Sequence, residues 1–205
     1  MGTLHLYDNL DSGNGYKIRL LLAQLELAYG WTNIDIFHGA ARTPEFLAKN
    51  PNGRIPTLQL EDGSYLAESN AILCYLAEGS AYVPDTRQER ALALQWMFFE
   101  QYSHEPYVAT PRFIMRHLPA DSPRRAELPS RLQKGREALT VIEKHLSTRH
   151  FFVAERYTIA DIALYAYTHV AAQGGHDLQP FAAVRAWLQR VAAQPRYVPI
   201  TFVPS

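Results

Sequence analysis

Three short segments in the first third of the chain combine residue types able to handle a small anionic or thiol-bearing ligand. The run Asp11-Ser12-Gly13-Asn14-Gly15 joins a strand pattern to the first turn of a helix. The N–H groups and dipole of a helix N-terminus favour a thiolate, carboxylate or phosphate, and glycine lets such a group approach the backbone. Helix capping alone also accounts for Ser12. The run matches neither phosphate fingerprint: position 18 is Ile18 where the dinucleotide motif has a third glycine, and no Gly-Lys-Ser/Thr follows. In the second segment, Arg54-Ile55-Pro56-Thr57-Leu58, a proline stands at the first residue of a strand, where its missing N–H does no harm. With a cis bond the Ile55 backbone turns outward and can pair with an extended peptide; with a trans bond Pro56 is only a rigid turn. The third segment, Glu68-Ser69-Asn70, opens another helix. There a hydroxyl and N–H groups can hold a carboxylate and Glu68 an ammonium, although routine capping again suffices.

The elements that carry these segments follow from periodicity and punctuation. Thr3–Tyr7 reads as a strand. Ile18, Leu21, Leu22 and Leu25 recur at the spacing of an amphipathic helix ending near Tyr29–Gly30. Trp31–Phe37 alternates as a second strand, with Ile34 and Ile36 on one face, and Thr43-Pro44-Glu45 starts a helix. Thr57–Leu60 and Tyr65–Leu66 form a hairpin across Glu61-Asp62-Gly63-Ser64, and Ala71–Glu78 is a helix closed by Gly79. After residue 86 only helices are expected. One spans Leu92–Tyr107 and bends at Pro106 and Pro111. Another carries the stripe Leu132, Leu139, Ile142 and Leu146 and starts near Pro123 or near Pro129. Two more run over Thr158–Val170 and Phe181–Ala193.

Composition draws the same division and removes several function classes. Lys+Arg and Asp+Glu balance at 20 each, so no net field attracts nucleic acid or an acidic membrane. The balance hides a split. Residues 1–80 carry 5 Lys/Arg against 9 Asp/Glu, whereas residues 81–205 carry 15 against 11. A single cysteine excludes an internal disulfide and a cysteine-rich zinc site. His104-Glu105 lacks the second histidine of a zinc-protease motif, so no metal site is expected. No signal-like leader and no apolar run of the ~20 residues needed to span a bilayer is present, and the expectation is a cytoplasmic protein.

Taken together, the Ser12 turn, the run from Asn50 to Leu58 and Glu68-Ser69-Asn70-Ala71-Ile72 resemble the N-terminal domain of cytosolic glutathione S-transferases. Tyr157-Thr158-Ile159-Ala160-Asp161-Ile162 resembles the capping box and hydrophobic staple of that family's helical domain: Thr158 is the cap, Asp161 its acceptor and Tyr157 the staple to Ile162. The resemblance covers nearly the whole chain. It implies a thioredoxin-like α/β glutathione-binding domain over residues 1–80 and an all-α domain over residues 86–205 that contributes the electrophile pocket.

Carried over by residue, the resemblance implies that Ile55, next to a cis Pro56, pairs with the cysteinyl unit of glutathione. Glu68 and Ser69 hold the γ-glutamyl ammonium and carboxylate, and Arg54, with Lys49 or His38, faces the glycine carboxylate. Ser12 matches the serine or cysteine that addresses the sulfur in serine- and cysteine-type classes, with Asn14 a second polar candidate. Tyr7 lies where tyrosine-type classes place their thiol donor, and its alternation with Leu4 and Leu6 also suits plain packing. Tyr7, Tyr102, Tyr107 and Phe113 are the expected electrophile pocket; Trp96, Phe99 and Tyr107 also recur at a near-helical spacing that suits core or subunit packing. The implied partners are glutathione, as co-substrate, and a small hydrophobic electrophile, in a homodimer without cofactor, nucleic acid or membrane. Without a Cys-x-x-Cys, protein dithiol chemistry is out, and Cys74 lies inside a predicted helix as a core residue. Ala154 stands where many relatives have glycine.

The chemistry that needs these groups is thiol activation. A free thiol has a pKa of about 8.5, so little is thiolate at neutral pH. Lowering that value by about two units takes ~2.7 kcal/mol, within reach of one charge-assisted hydrogen bond and a helix dipole. The same thiolate serves conjugation, isomerisation, dehalogenation or disulfide reduction. A non-catalytic binding or regulatory protein could also keep this fold.

Overall fold

The computed structural model describes residues 3–204. They divide into two compact units, one of residues up to 80 together with those from 195 onward, the other of residues 81–194.

The first unit contains β1 (Leu4–Asp8), α1 (Gly13–Gln24), β2 (Tyr29–Asn33), α2 (Pro44–Leu47), β3 (Thr57–Gln59), β4 (Tyr65–Ala67) and α3 (Ser69–Ala77). The sheet order is β2-β1-β3-β4. β1 runs parallel to β2 and antiparallel to β3, and β3 pairs antiparallel with β4. This mixed four-stranded sheet with its βαβ and ββα halves is the thioredoxin-like arrangement. Leu6 and Leu58, paired across β1 and β3, are fully buried.

Two elements differ from the expectation. β2 starts at Tyr29 and stops at Asn33, because its partner β1 ends at Asp8; the Ile34 N–H makes the last bond of that ladder, to the Asp8 carbonyl at 2.6 Å. Ile34 and Ile36 leave the strand and pack with Ala41 and Phe46 around α2. α1 ends at Gln24 and is not amphipathic. Lys17 and Arg19 are as fully buried as Tyr16, Ile18, Leu20, Leu21 and Leu22. The C-terminal tail explains part of this. Tyr16 donates its hydroxyl to the Val198 carbonyl at 2.7 Å, and Arg19 donates to the carbonyls of Ile200 and Phe202 at 2.8 and 2.9 Å. Residues from 195 onward therefore pack with the first unit, although the composition break assigns them to the second.

The second unit is all helical: α4 (Arg87–Phe99), α5 (Glu105–His117), α6 (Leu128–Leu146), α7 (Ile159–Thr168) and α8 (Ala182–Ala192). The single bent helix expected over Leu92–Tyr107 is two helices joined by a π-turn at Glu100–His104, closed by the Glu105 N–H on the Glu100 carbonyl. Pro106 lies in the first turn of α5, where its missing N–H costs nothing, and Pro111 stays within the helix. Pro123 opens a 3-10 turn over Pro123–Glu127, and Pro129 lies in the first turn of α6. Trp96 is core, packed on Phe99, His145 and Phe152. No described helix is long and apolar enough to cross a membrane.

Candidate functional site

Ser12 caps α1 from an extended backbone (φ −74°, ψ 124°), its Oγ accepting the Gly15 N–H at 3.2 Å. A hydroxyl that accepts one bond still has a proton to donate, so capping and thiol recognition are compatible roles. Gly15 is small for an internal reason: the Asp8 carboxylate occupies the space a Cβ would need. That carboxylate accepts from Arg19 Nε at 3.0 Å and from the Asn9 N–H at 2.6 Å. Burial pushes the Asp8 carboxyl up to about 7, against the pull of the Arg19 guanidinium. Arg19 also donates to the Leu10 carbonyl at 2.7 Å, which ties the turn before Ser12 to the C-terminal tail.

At the other end of the site the Ile55–Pro56 peptide is cis. Asn50 Nδ2 and Thr57 Oγ1 both donate to the Arg54 carbonyl, at 2.8 and 3.2 Å, and fix the loop ahead of β3. Glu68 has a left-handed φ of 69°, costly for a residue with a Cβ, as backbone at binding and catalytic sites often is. It makes no side-chain cap on α3. Ser69, buried at the first position of α3, donates its hydroxyl to Asn14 Oδ1 at 3.3 Å. The N-terminal ends of α1 and α3 thus meet through Asn14 and Ser69. Lys17, which the sequence reading passed over, is the third member: its Nζ lies 3.2 Å from Ser69 Oγ and 3.5 Å from Asn70 Oδ1.

The remaining candidates are more dispersed. Lys49 lies over the rings of Tyr7 and Tyr65, at 5.4 and 5.1 Å, and donates to the Tyr65 hydroxyl at 3.3 Å. Tyr7 donates to Gln59 Oε1 at 3.3 Å, and its ring packs edge-on against Phe46. Arg54 is exposed, and His38 is an exposed turn residue 2.6 Å from Asp35. In the helical unit a pocket of about 380 Å³ brings Tyr102 and Tyr107 together with Phe99, Lys134, Glu137 and Val141. Phe113 is not among its lining residues; its ring faces His117 and Arg124. Cys74 is half-buried in α3, and burial raises its thiol pKa. Among the described residues no group of three or more His, Cys, Asp and Glu could hold a metal ion.

Lys17 and Arg19 left one trace in the sequence. Leu20-Leu21-Leu22-Ala23 is apolar around a full helical turn, so α1 is enclosed on every side and its charged residues are enclosed with it.

Comparison with known proteins adds to this geometry. The family model described as Glutathione S-transferase, N-terminal domain matches residues 2–78, and the one described as Glutathione S-transferase, C-terminal domain matches residues 95–195. The crystal structure of glutathione S-transferase from Pseudomonas fluorescens (Pf-5) is 52% identical with a TM-score of 0.93, covering 97% of this chain and 99% of that one. Disulfide-bond oxidoreductase YfcG of Escherichia coli (strain K12) is 33% identical over 190 residues, 89% of this chain and 87% of that protein. The structure of Ure2p in complex with glutathione shares the fold at 22% identity and a TM-score of 0.85, over 95% of this chain and 91% of that one.

Proposed function

The chain belongs to the glutathione S-transferase family, and from that membership we propose that it binds glutathione at the joined ends of α1 and α3, activates it as a thiolate, and conjugates it to small hydrophobic electrophiles. The observation that carries this reading is the Asn14–Ser69 hydrogen bond beside Ser12, which links the two helix ends. In it Ser12 and Asn14 address the sulfur, the Ile55 backbone beside Pro56 pairs with the cysteinyl unit, and Glu68 and Ser69 hold the γ-glutamyl end. Arg54, with Lys49 or His38, faces the glycine carboxylate. The thiol proton leaves to solvent, and the thiolate forms the C–S bond as the leaving group departs with the bonding electrons. The assigned role is detoxification of such electrophiles in the cytoplasm.

Tyr102 and Tyr107 belong to the apolar-substrate pocket in this reading, so Tyr107→Ala raises KM for the electrophile and leaves KM for glutathione in place. Exposed Leu94 and Phe98, one turn apart on α4, are the proposed self-association face of a homodimer, and Phe98→Glu yields a monomer in sedimentation.

Disulfide reduction at the same site is the second reading, favoured by the name of the E. coli relative. There the thiolate attacks one sulfur of a disulfide and expels a thiol; a second glutathione then gives glutathione disulfide and the other thiol. The test is glutathione-dependent turnover of chlorodinitrobenzene beside that of hydroxyethyl disulfide. Turnover of the aryl chloride supports conjugation, turnover of the disulfide alone supports reduction, and glutathione binding with neither marks a non-catalytic member.

A further inference from the structure

Lys17 is a fully buried lysine at the junction of α1 and α3, and the thiol chemistry above makes no use of it. Its surroundings determine which way protons point. An ammonium only donates, so at 3.2 Å Ser69 Oγ is the acceptor. The Ser69 proton is thereby directed to the other neighbour of that oxygen, Asn14 Oδ1, at 3.3 Å, which leaves the backbone N–H of Ser69, at the start of α3, as its donor to the γ-glutamyl carboxylate. With Oδ1 engaged by Ser69, the planar amide of Asn14 directs Nδ2 to the opposite side. The same ammonium reaches Asn70 Oδ1 at 3.5 Å, so one charge holds two consecutive residues of the α3 end.

We propose that Lys17 is a positioning residue for thiol activation, orienting Asn14 through Ser69 so that Nδ2 donates to the glutathione sulfur, while its buried charge favours the thiolate. The inference rests on the glutathione reading above and adds to it a relay that couples the γ-glutamyl end of the site to the sulfur end. The thiol proton leaves to solvent, and the relay lowers the free energy of the anion left behind. A buried charge acts more strongly on an anion than a solvated one at the same distance.

The test is the pH profile of kcat/KM for the electrophile at saturating glutathione, read together with the ultraviolet absorbance of enzyme-bound thiolate, in Lys17→Met, Lys17→Gln and Ser69→Ala. Lys17→Met should raise the apparent pKa of bound glutathione by about one unit, which lowers kcat/KM about tenfold below that pKa. The deficit should close at alkaline pH, where the thiol ionises unaided. Lys17→Gln, which restores a donor but no charge, should recover part of the shift. Ser69→Ala cuts the relay in its middle while keeping the backbone N–H that faces the carboxylate, and should shift the kcat profile in the same direction. An unmoved profile in Lys17→Met, with only thermal stability reduced, would make Lys17 purely structural and overturn the proposal. If Lys17→Met does not fold, an unmoved kcat profile in Ser69→Ala overturns it equally. Wild-type protein that binds no glutathione would overturn the underlying reading, and the proposal with it.

Discussion

The helix start of α7 and those of α1 and α3 use the same capping physics to opposite ends. At α7 the donors turn inward. Asp161, fully buried, accepts from the Thr158 N–H at 2.9 Å, the Thr158 hydroxyl at 3.1 Å, the Phe152 N–H at 3.2 Å and Trp187 Nε1 at 2.9 Å. Four donors on one carboxylate close that end and fasten three segments of the helical unit to it. At α1 a single serine bond caps the helix, and at α3 the residue before the helix makes no side-chain cap. A helix end that satisfies its own donors stabilises the fold, whereas one that keeps them for another element or a ligand can do chemistry.

Breaking the closed end should have the largest effect. Asp161→Ala leaves buried donors on Thr158, Phe152 and Trp187 without their acceptor, at about 1–3 kcal/mol for each such group. We expect a loss of at least about 3 kcal/mol in denaturant unfolding of the helical unit. Asp161→Asn, which keeps one acceptor oxygen, should lose less. A cost near zero for the alanine variant would mean that the α7 end is not held as described.

Opening the α1 end further should cost activity more than stability. Ser12→Ala should reduce conjugation roughly 10- to 100-fold, the equivalent of about 1.4–2.7 kcal/mol of thiolate stabilisation. Its stability should fall by only about 1 kcal/mol, the usual worth of a serine cap. Equal turnover in the two proteins would move the sulfur contact to Asn14 or to backbone amides.

The far end of α7 makes the same contrast through pH. Burial pushes the His169 imidazole down to about 4, while its Nδ1–H donates to the Tyr165 carbonyl at 2.9 Å. The folded state therefore keeps His169 neutral, and the unfolded state protonates it below its ordinary value of 6.5. The contribution is complete above that value and is lost as pH falls towards about 4, by about 2 kcal/mol at pH ~5. Asp161, raised to about 6 by burial, works in the opposite sense, its ionisation penalty being relieved as pH falls. The difference between wild type and His169→Phe across this range isolates the histidine. Parallel stability curves would show that it titrates alike in both states.

How far these ends were legible depended on sequence distance. The α7 box could be read because Thr158 and Asp161 are three residues apart and one helical turn brings them together. Ser12, Pro56 and Ser69 could be read because local turn chemistry marks each of them. Tyr157, expected as the staple to Ile162, packs its ring on those of Tyr82 and Phe151. The pairing of Lys17 with Ser69 spans 52 residues, and that of Arg19 with the Phe202 carbonyl spans 183. No periodicity carries such information. A charged residue in a helical pattern reads as a solvated face until the element covering it is known. The length of β2 was missed for a related reason: alternation continues through Ile34 and Ile36, but the partner strand ends at Asp8.

The smallest expected effect lies in the turn that feeds the closed end. Val153 and Arg156 form an isolated antiparallel bridge, and the two residues between them, Ala154 and Glu155, have φ of 57° and 48°. Two consecutive left-handed residues make the type I′ geometry, in which glycine or asparagine is preferred. Glu155 has some compensation, because its carboxylate accepts the His150 N–H at 3.0 Å. Ala154 is exposed and gains little from its methyl group. A left-handed residue with a Cβ costs about 1–2 kcal/mol, and glycine returns roughly 0.5–1 kcal/mol of that through unfolded-state entropy. Ala154→Gly should therefore stabilise the helical unit by about 0.5–1 kcal/mol in denaturant unfolding and leave turnover at the α1 and α3 ends unchanged. A destabilised glycine variant would mean that the alanine methyl group, or the stiffness it gives the turn, holds the approach to α7 more firmly than the backbone angles suggest.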